Sequence, residues 1–226
     1  MPARNSRKIY YDDAYYHLYN RGVEKRKIFL DRQDYSVFLS YLKDYLLPKN
    51  EDLLEERLAD PNTTQHEKNK ILKLLRMNNF ADEVTLVAYC LMPNHFHLFI
   101  KQKSAGTIDK FMNSLGTRYT MYFNRKYNRV GSLYQGVYKA VPVVNEPQFI
   151  YLSKYIHKQA LALQDQPSSY EDYLGKRNTQ WVDPSEVLSH FSTSNASFSY
   201  EEFVREHPDD REVTTINEIA LEQEDL

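Results

Sequence analysis

The sequence predicts an α+β fold, a four-stranded antiparallel sheet with its helices on one face, and three observations carry that prediction. Strand-like apolar runs occur at 14–22, 84–92, 95–101 and within 131–144. Helical periodicity occupies 31–47 and 107–127, so the core order is β, α, β, β, α, β. Only Pro93-Asn94 separates the second and third strands, as in a hairpin. This is the ferredoxin-like, or RRM-like, βαββαβ pattern, and its helix-free face is expected to lie open for a ligand.

In chain order, Ala14 to Gly22 is aromatic-rich and ends at glycine, which reads as a strand. Asp31 to Leu47 carries Tyr35, Phe38, Leu39, Leu42 and Leu46 at helical spacing, and Pro48 interrupts it. Two helical pieces, near Glu51–Ala59 and Glu67–Met77, then read as an insertion over about 48–82. Val84 to Met92 is a buried strand, and His95 to Lys101 returns as its partner. Thr107 to Tyr127 places Ile108, Phe111, Met112, Leu115, Tyr119 and Phe123 on one helical face. In the last strand Pro142 marks an edge, because proline cannot donate to a sheet ladder. Glu146-Pro147 opens a helix running to Leu163, since proline fits a first turn. Beyond Pro167 the chain is loop-rich, with short helices expected at Pro184–Phe191 and Tyr200–Arg205.

The chain has 226 residues and a formal charge of −2, which by itself argues against a polyanionic partner. The average hides segregation. Between 101 and 160 ten basic residues face only Asp109 and Glu146, whereas from Glu201 onward two basic residues face ten acidic ones. The basic block is interleaved with Tyr119, Tyr122, Tyr127, Tyr134 and Tyr138, so cations for phosphates alternate with flat rings for unstacked bases. The acidic end reads as a mobile or loosely docked extension. A single cysteine excludes a disulfide framework or a Cys-rich zinc cluster. No apolar run approaches the ~20 residues of a membrane span, and no apolar stretch follows the charged first residues, so neither membrane insertion nor a signal peptide is expected.

His95-Phe96-His97 is the sharpest local feature. Alternate strand residues share a face, so both imidazoles project together about 6.6–6.8 Å apart, and Phe96 points into the core. Two neutral imidazoles at that spacing can hold one cation, although a pair of surface histidines fits the spacing as well. Tyr155 and Gln159 stand at i and i+4 on the late helix and therefore share a face. The Gln159 amide oxygen suits Mg²⁺ or Mn²⁺, and Tyr155 is a potential nucleophile flanked by Lys154 and Lys158. On this pattern alone Tyr155 reads as a packed helix tyrosine rather than a nucleophile.

The segments Tyr16-His17, Asn20-Arg21-Gly22, Ile28-Phe29, Met92 to Leu98, Gly131 to Lys139 and Tyr155-Ile156-His157 occur in that order. Together they resemble the REP-associated tyrosine transposases, relatives of the single-tyrosine transposases of IS200-like elements named for a His-hydrophobe-His motif. The resemblance covers roughly 9–192, interrupted by the insertion. It implies that residues 1–165 form a catalytic domain and 166–226 a C-terminal extension of short helices and acidic tail. It further implies that His95, His97 and Gln159 bind Mg²⁺ or Mn²⁺ and that Tyr155 attacks a phosphate of single-stranded or hairpin DNA, leaving a 5′-phosphotyrosine. Arg21, Arg118, Arg125, Tyr134, Lys139, Lys154 and Lys158 are then the expected DNA contacts. Gln159-Ala160 stands where the REP-associated group has Asn-Pro and resembles the insertion-sequence branch, and Val137 replaces a common arginine. A bacterial cytoplasmic protein, nucleoid-associated when acting, is implied, as a monomer or as a homodimer delivering tyrosine in trans. Two other readings compete: a non-catalytic module binding hairpin DNA or RNA, and a hydrolase of small phosphoesters, for which acidic ligands are lacking.

Overall fold

The computed structural model describes residues 8–163 and 166–220. In chain order they form β1 (Ala14–Arg21), α1 (Arg32–Leu46), α2 (Glu51–Ala59), α3 (Gln65–Arg76), β2 (Val84–Met92), β3 (His95–Gln102), α4 (Thr107–Lys126) and β4 (Lys139–Val143). Five helices follow: α5 (Glu146–Ala162), α6 (Tyr170–Tyr173), α7 (Ser185–Leu188), α8 (Tyr200–Arg205) and α9 (Asp210–Ile219). The strands build one antiparallel sheet in the order β2-β3-β1-β4, the ferredoxin-like arrangement. Pro142 falls on the edge strand β4, where its missing N–H costs least.

Strand alternation divides the sheet into two faces. On one, Tyr16, Leu18, Phe96, Leu98 and Ile100 pack with Phe38 and Leu42 of α1 and Phe111 and Leu115 of α4. Phe38 anchors this layer through contacts with Phe29, Phe96 and Tyr119. The N-terminus of α1 is closed by a reciprocal capping box between Asp31 and Asp34. Asp34 is buried, and it accepts hydrogen bonds from Leu30 N, Tyr122 and Tyr127 and pairs with Lys126 at 2.8 Å. Burial alone would raise its pKa, but Lys126 and the hydrogen bonds hold the carboxyl below its ordinary value.

The other face is not open. Tyr19, Val87, Cys90, Phe99 and Val141 are apolar there and need cover, which α5 supplies through Phe149, Leu152, Ile156 and Ala160. A β-bulge between Leu86 and Ala88 turns both Val87 and Ala88 to this side. α7, α8 and α9 complete the layer, with Val187, Val204 and Ile219 buried. The outer edge of β2 is covered too: Leu91 N donates to Pro167 O, Ser169 N to Tyr89 O and Asp183 N to Leu86 O.

The acidic end departs most from the sequence expectation of a mobile or loosely docked segment. Residues 210–219 are helical, capped by Asp209, and bury Glu212 and Ile219 against the molecule. Residues 221–226 lie outside the described part. An apolar series, Val213, Ile216, Ile219 and Ala220, is spaced for one helix face, and Ile216 and Ile219 pack in the α5 cluster.

Candidate active site

β3 presents His95 and His97 from the face covered by α5. Their ring centroids are 4.9 Å apart at an interplanar angle of 89°. His97 is fully buried, and Tyr155 of α5 meets it edge-on at 5.5 Å between centroids. Burial, and secondarily the charge of His95, push the His97 pKa well below its ordinary value, so the ring is neutral.

The hydrogen bonds assign the tautomers. A carbonyl can only accept, so the contact between His17 Nδ1 and Ile219 O (2.9 Å) places a proton on Nδ1 of neutral His17. His17 Nε2 is then the acceptor for His97 Nδ1, also at 2.9 Å. His97 therefore carries its lone pair on Nε2. His95 Nδ1 lies 2.7 Å from the Asn94 side-chain oxygen, whose amide nitrogen donates to Lys25 O, so His95 Nδ1 is the donor of that bond. His97 thus has the protonation that a divalent cation requires, and His95 has its Nε2 left for the same role when the ring is neutral. Among the described residues no group of three or more His, Cys, Asp or Glu side chains is placed to hold a metal ion. A third protein ligand would have to be of another type, such as an amide.

Gln159 shares with Tyr155 a cleft of about 270 Å³ between α5 and α9, whose walls include Lys158, Glu212 and Ile216. The Lys158 ammonium donates to Glu206 O at 2.6 Å. Burial and neighbouring Lys154 lower its pKa, against Glu212 and Glu206. Arg21 is registered opposite His95, and Lys139 and His97 both pair with Tyr19, so both cations lie on the histidine face of the sheet. The Arg21 Nε donates to the Gln135 side chain.

Four expected DNA contacts lie elsewhere. Lys154 is buried, ion-paired with Glu212 at 2.7 Å and held over the Phe203 ring, because α9 closes on it. Tyr134 is a core ring against Phe96, and burial raises its pKa. Arg118 stands over Tyr41 and pairs with Asp44 (2.7 Å) on the far side of the α1–α4 layer, where Arg125 also lies. The interleaved tyrosines are likewise committed internally: Tyr119 donates to Ile28 O, Tyr122 and Tyr127 to Asp34, and Tyr138 to Asp109. Sequence reading gave no role to His17, although the alternation Tyr15-His17-Tyr19 already put it on one strand face. The Ile219 carbonyl had no sequence signal.

A ferredoxin-like sheet presenting two histidines from one strand beside a helix-borne tyrosine defines the class of this site. The chain matches the family model of IS200-like transposases over residues 10–159, a span that includes His95, His97, Tyr155 and Gln159, and it belongs to that family. No curated protein matches it. Among solved structures it is similar to a REP-associated tyrosine transposase bound to a REP hairpin, at 11% identity over 80% of this chain and 97% of that one, with a TM-score of 0.42. It is also similar to a protein of Deinococcus radiodurans R1 described as a transposase, at 18% identity over 70% and 98%, with a TM-score of 0.32. No helix among the described residues is long and apolar enough to cross a membrane.

Proposed function

We propose that this protein cleaves and rejoins single-stranded DNA at hairpin sites, with Tyr155 as nucleophile and a 5′-phosphotyrosine as intermediate. The observation that carries the reading is the edge contact of Tyr155 with buried, neutral His97 within one chain. Within one chain Tyr155 already stands beside His97, so cleavage can proceed with the tyrosine acting in cis. His95 and His97 through Nε2, with the Gln159 amide oxygen, would hold Mg²⁺ or Mn²⁺, which when bound neutralises charge on the scissile phosphate.

The Tyr155 oxygen attacks phosphorus in line, the bond from phosphorus to the 3′-oxygen breaks, and the strand leaves with a 3′-hydroxyl. The phenol proton is given up and the leaving oxygen gains one, so no water is consumed. One phosphodiester replaces another, and a 3′-hydroxyl can reverse the step without ATP. Arg21 and Lys139 beside the histidines, and Lys158 in the cleft, orient the strand through its phosphates.

A labelled hairpin oligonucleotide incubated with the protein and Mn²⁺ tests the reading. The expected result is a protein–DNA adduct stable to denaturant, absent in Tyr155→Phe. Tight binding by wild type with no adduct would favour the non-catalytic hairpin-binding module. Cleavage by wild type without any adduct would favour hydrolysis.

A further inference from the structure

The helical insertion and α4 enclose a groove of about 1000 Å³ floored by Tyr41 and Tyr45 of α1. Lys73 and Arg76 of α3 face Arg118 and Arg125 of α4 across it, and its lining contains neither Asp nor Glu. Arg118 is neutralised by Asp44. Lys73, Arg76 and Arg125 are exposed and make no ion pair among the described residues.

Like charges gathered around one concavity repel one another, which disfavours the arrangement unless an anion occupies it. Lys73 and Arg76 also lie in the last turn of α3, where the helix dipole favours cations, but that accounts for neither Arg125 nor the acid-free lining. Apart from Phe80, which packs in the core, the insertion adds little there, since α2 buries no residue and α3 buries only Ile71. Its contribution is this basic wall.

We infer that the groove is a second DNA site, which binds the sugar–phosphate backbone without reading bases. Guanidinium and ammonium groups meet phosphates, while the Asn69, Asn78 and Asn113 amides donate to sugar or phosphate oxygens. The Tyr41 face is already covered by the Arg118 guanidinium at 3.7 Å, so base stacking is not its basis. The sheet and a helical layer about 10 Å thick separate the groove from His95 and His97. It therefore holds DNA outside the cleaved segment. This rests on the proposed function only for the choice of DNA as ligand.

The full-length double variant Lys73→Gln/Arg76→Gln tests it, because both side chains are exposed and the fold should persist by circular dichroism. Affinity for a fluorescent 30-mer of deoxythymidine is measured across salt concentrations. Loss of two phosphate contacts should reduce the slope of log affinity against log salt by about 1.4, and weaken binding on the order of 20-fold at 0.1 M salt. Lys68→Gln/Lys70→Gln, an equal charge change on the same helix outside the groove, should leave the slope unchanged. Wild-type affinity and slope in the first variant, equal losses in both, or a loss confined to a uridine 30-mer would overturn the proposal. Tyr155→Phe separates the two readings. Groove-dependent binding by a wild type that forms no adduct sinks cleavage alone, and adduct formation with no effect of Lys73→Gln/Arg76→Gln sinks the groove alone.

Discussion

At the scale of single residues, the chemistry at His97 is set one shell out. The Ile219 carbonyl fixes a proton on His17 Nδ1, and His17 in turn accepts from His97 Nδ1. A buried imidazole held this way presents a fixed lone pair and needs no reorganisation when a cation arrives. His17→Leu removes the acceptor and releases the ring. Mn²⁺ affinity, measured by calorimetry on the folded variant, should weaken about 10- to 100-fold, the usual cost of losing a partner that orients a metal ligand. An unchanged Mn²⁺ affinity would mean that His17 only fills space. The His-Phe-His pair was legible from strand periodicity, because Phe96 and the two imidazoles must face opposite ways. His17 was harder to read, since its partner lies 80 residues away and its significance depends on strand register.

The elements tell a similar story at longer range. α5 carries the proposed nucleophile, and α9 locks it in place through the buried pair Lys154–Glu212. Glu212→Ala leaves the Lys154 ammonium enclosed without its counterion, which should destabilise the fold by about 3–5 kcal/mol in urea unfolding. Replacing both partners, Lys154→Met with Glu212→Leu, should return stability to near the wild-type value, because the desolvation cost disappears with the charges. A double variant as unstable as the single one would count against the buried pair as the cause. The strands and the helices α1, α4 and α5 were readable because periodicity and turn residues agree along each. α9 was not, because its three apolar positions are diluted by a strongly acidic composition. The basic block misled in the complementary direction. Its sequence density suggested one surface, yet fold topology sends Lys154 into a buried pair, Lys126 to Asp34, and Arg118 and Arg125 to the opposite side of the molecule.

Over the whole molecule, these buried polar links make stability depend on pH with a definite sign. His157 is fully buried between the Tyr200 hydroxyl (2.7 Å) and Ser169 Oγ (2.8 Å), joining α5 to α8 and to the segment beside β2. Burial pushes its pKa down to about 3. The unfolded chain binds this proton near pH 6.5 and the folded chain does not, so stability is full above that range. It falls as pH drops toward 3, by up to about 1.4 kcal/mol per unit. His97 acts in the same direction. Asp34 and Asp172, whose pKa values are lowered, extend the loss to still lower pH as they become protonated. Urea unfolding at pH 7.5 and 5.0 should therefore show a marked acid loss in the metal-free protein. His157→Gln, which can keep hydrogen bonds to Tyr200 and Ser169 but cannot titrate, should be less stable at pH 7.5 yet lose about 2 kcal/mol less between the two pH values. The same acid loss in the variant would show that His157 is not held neutral and that the coupling across α5, α8 and β2 lies in other groups.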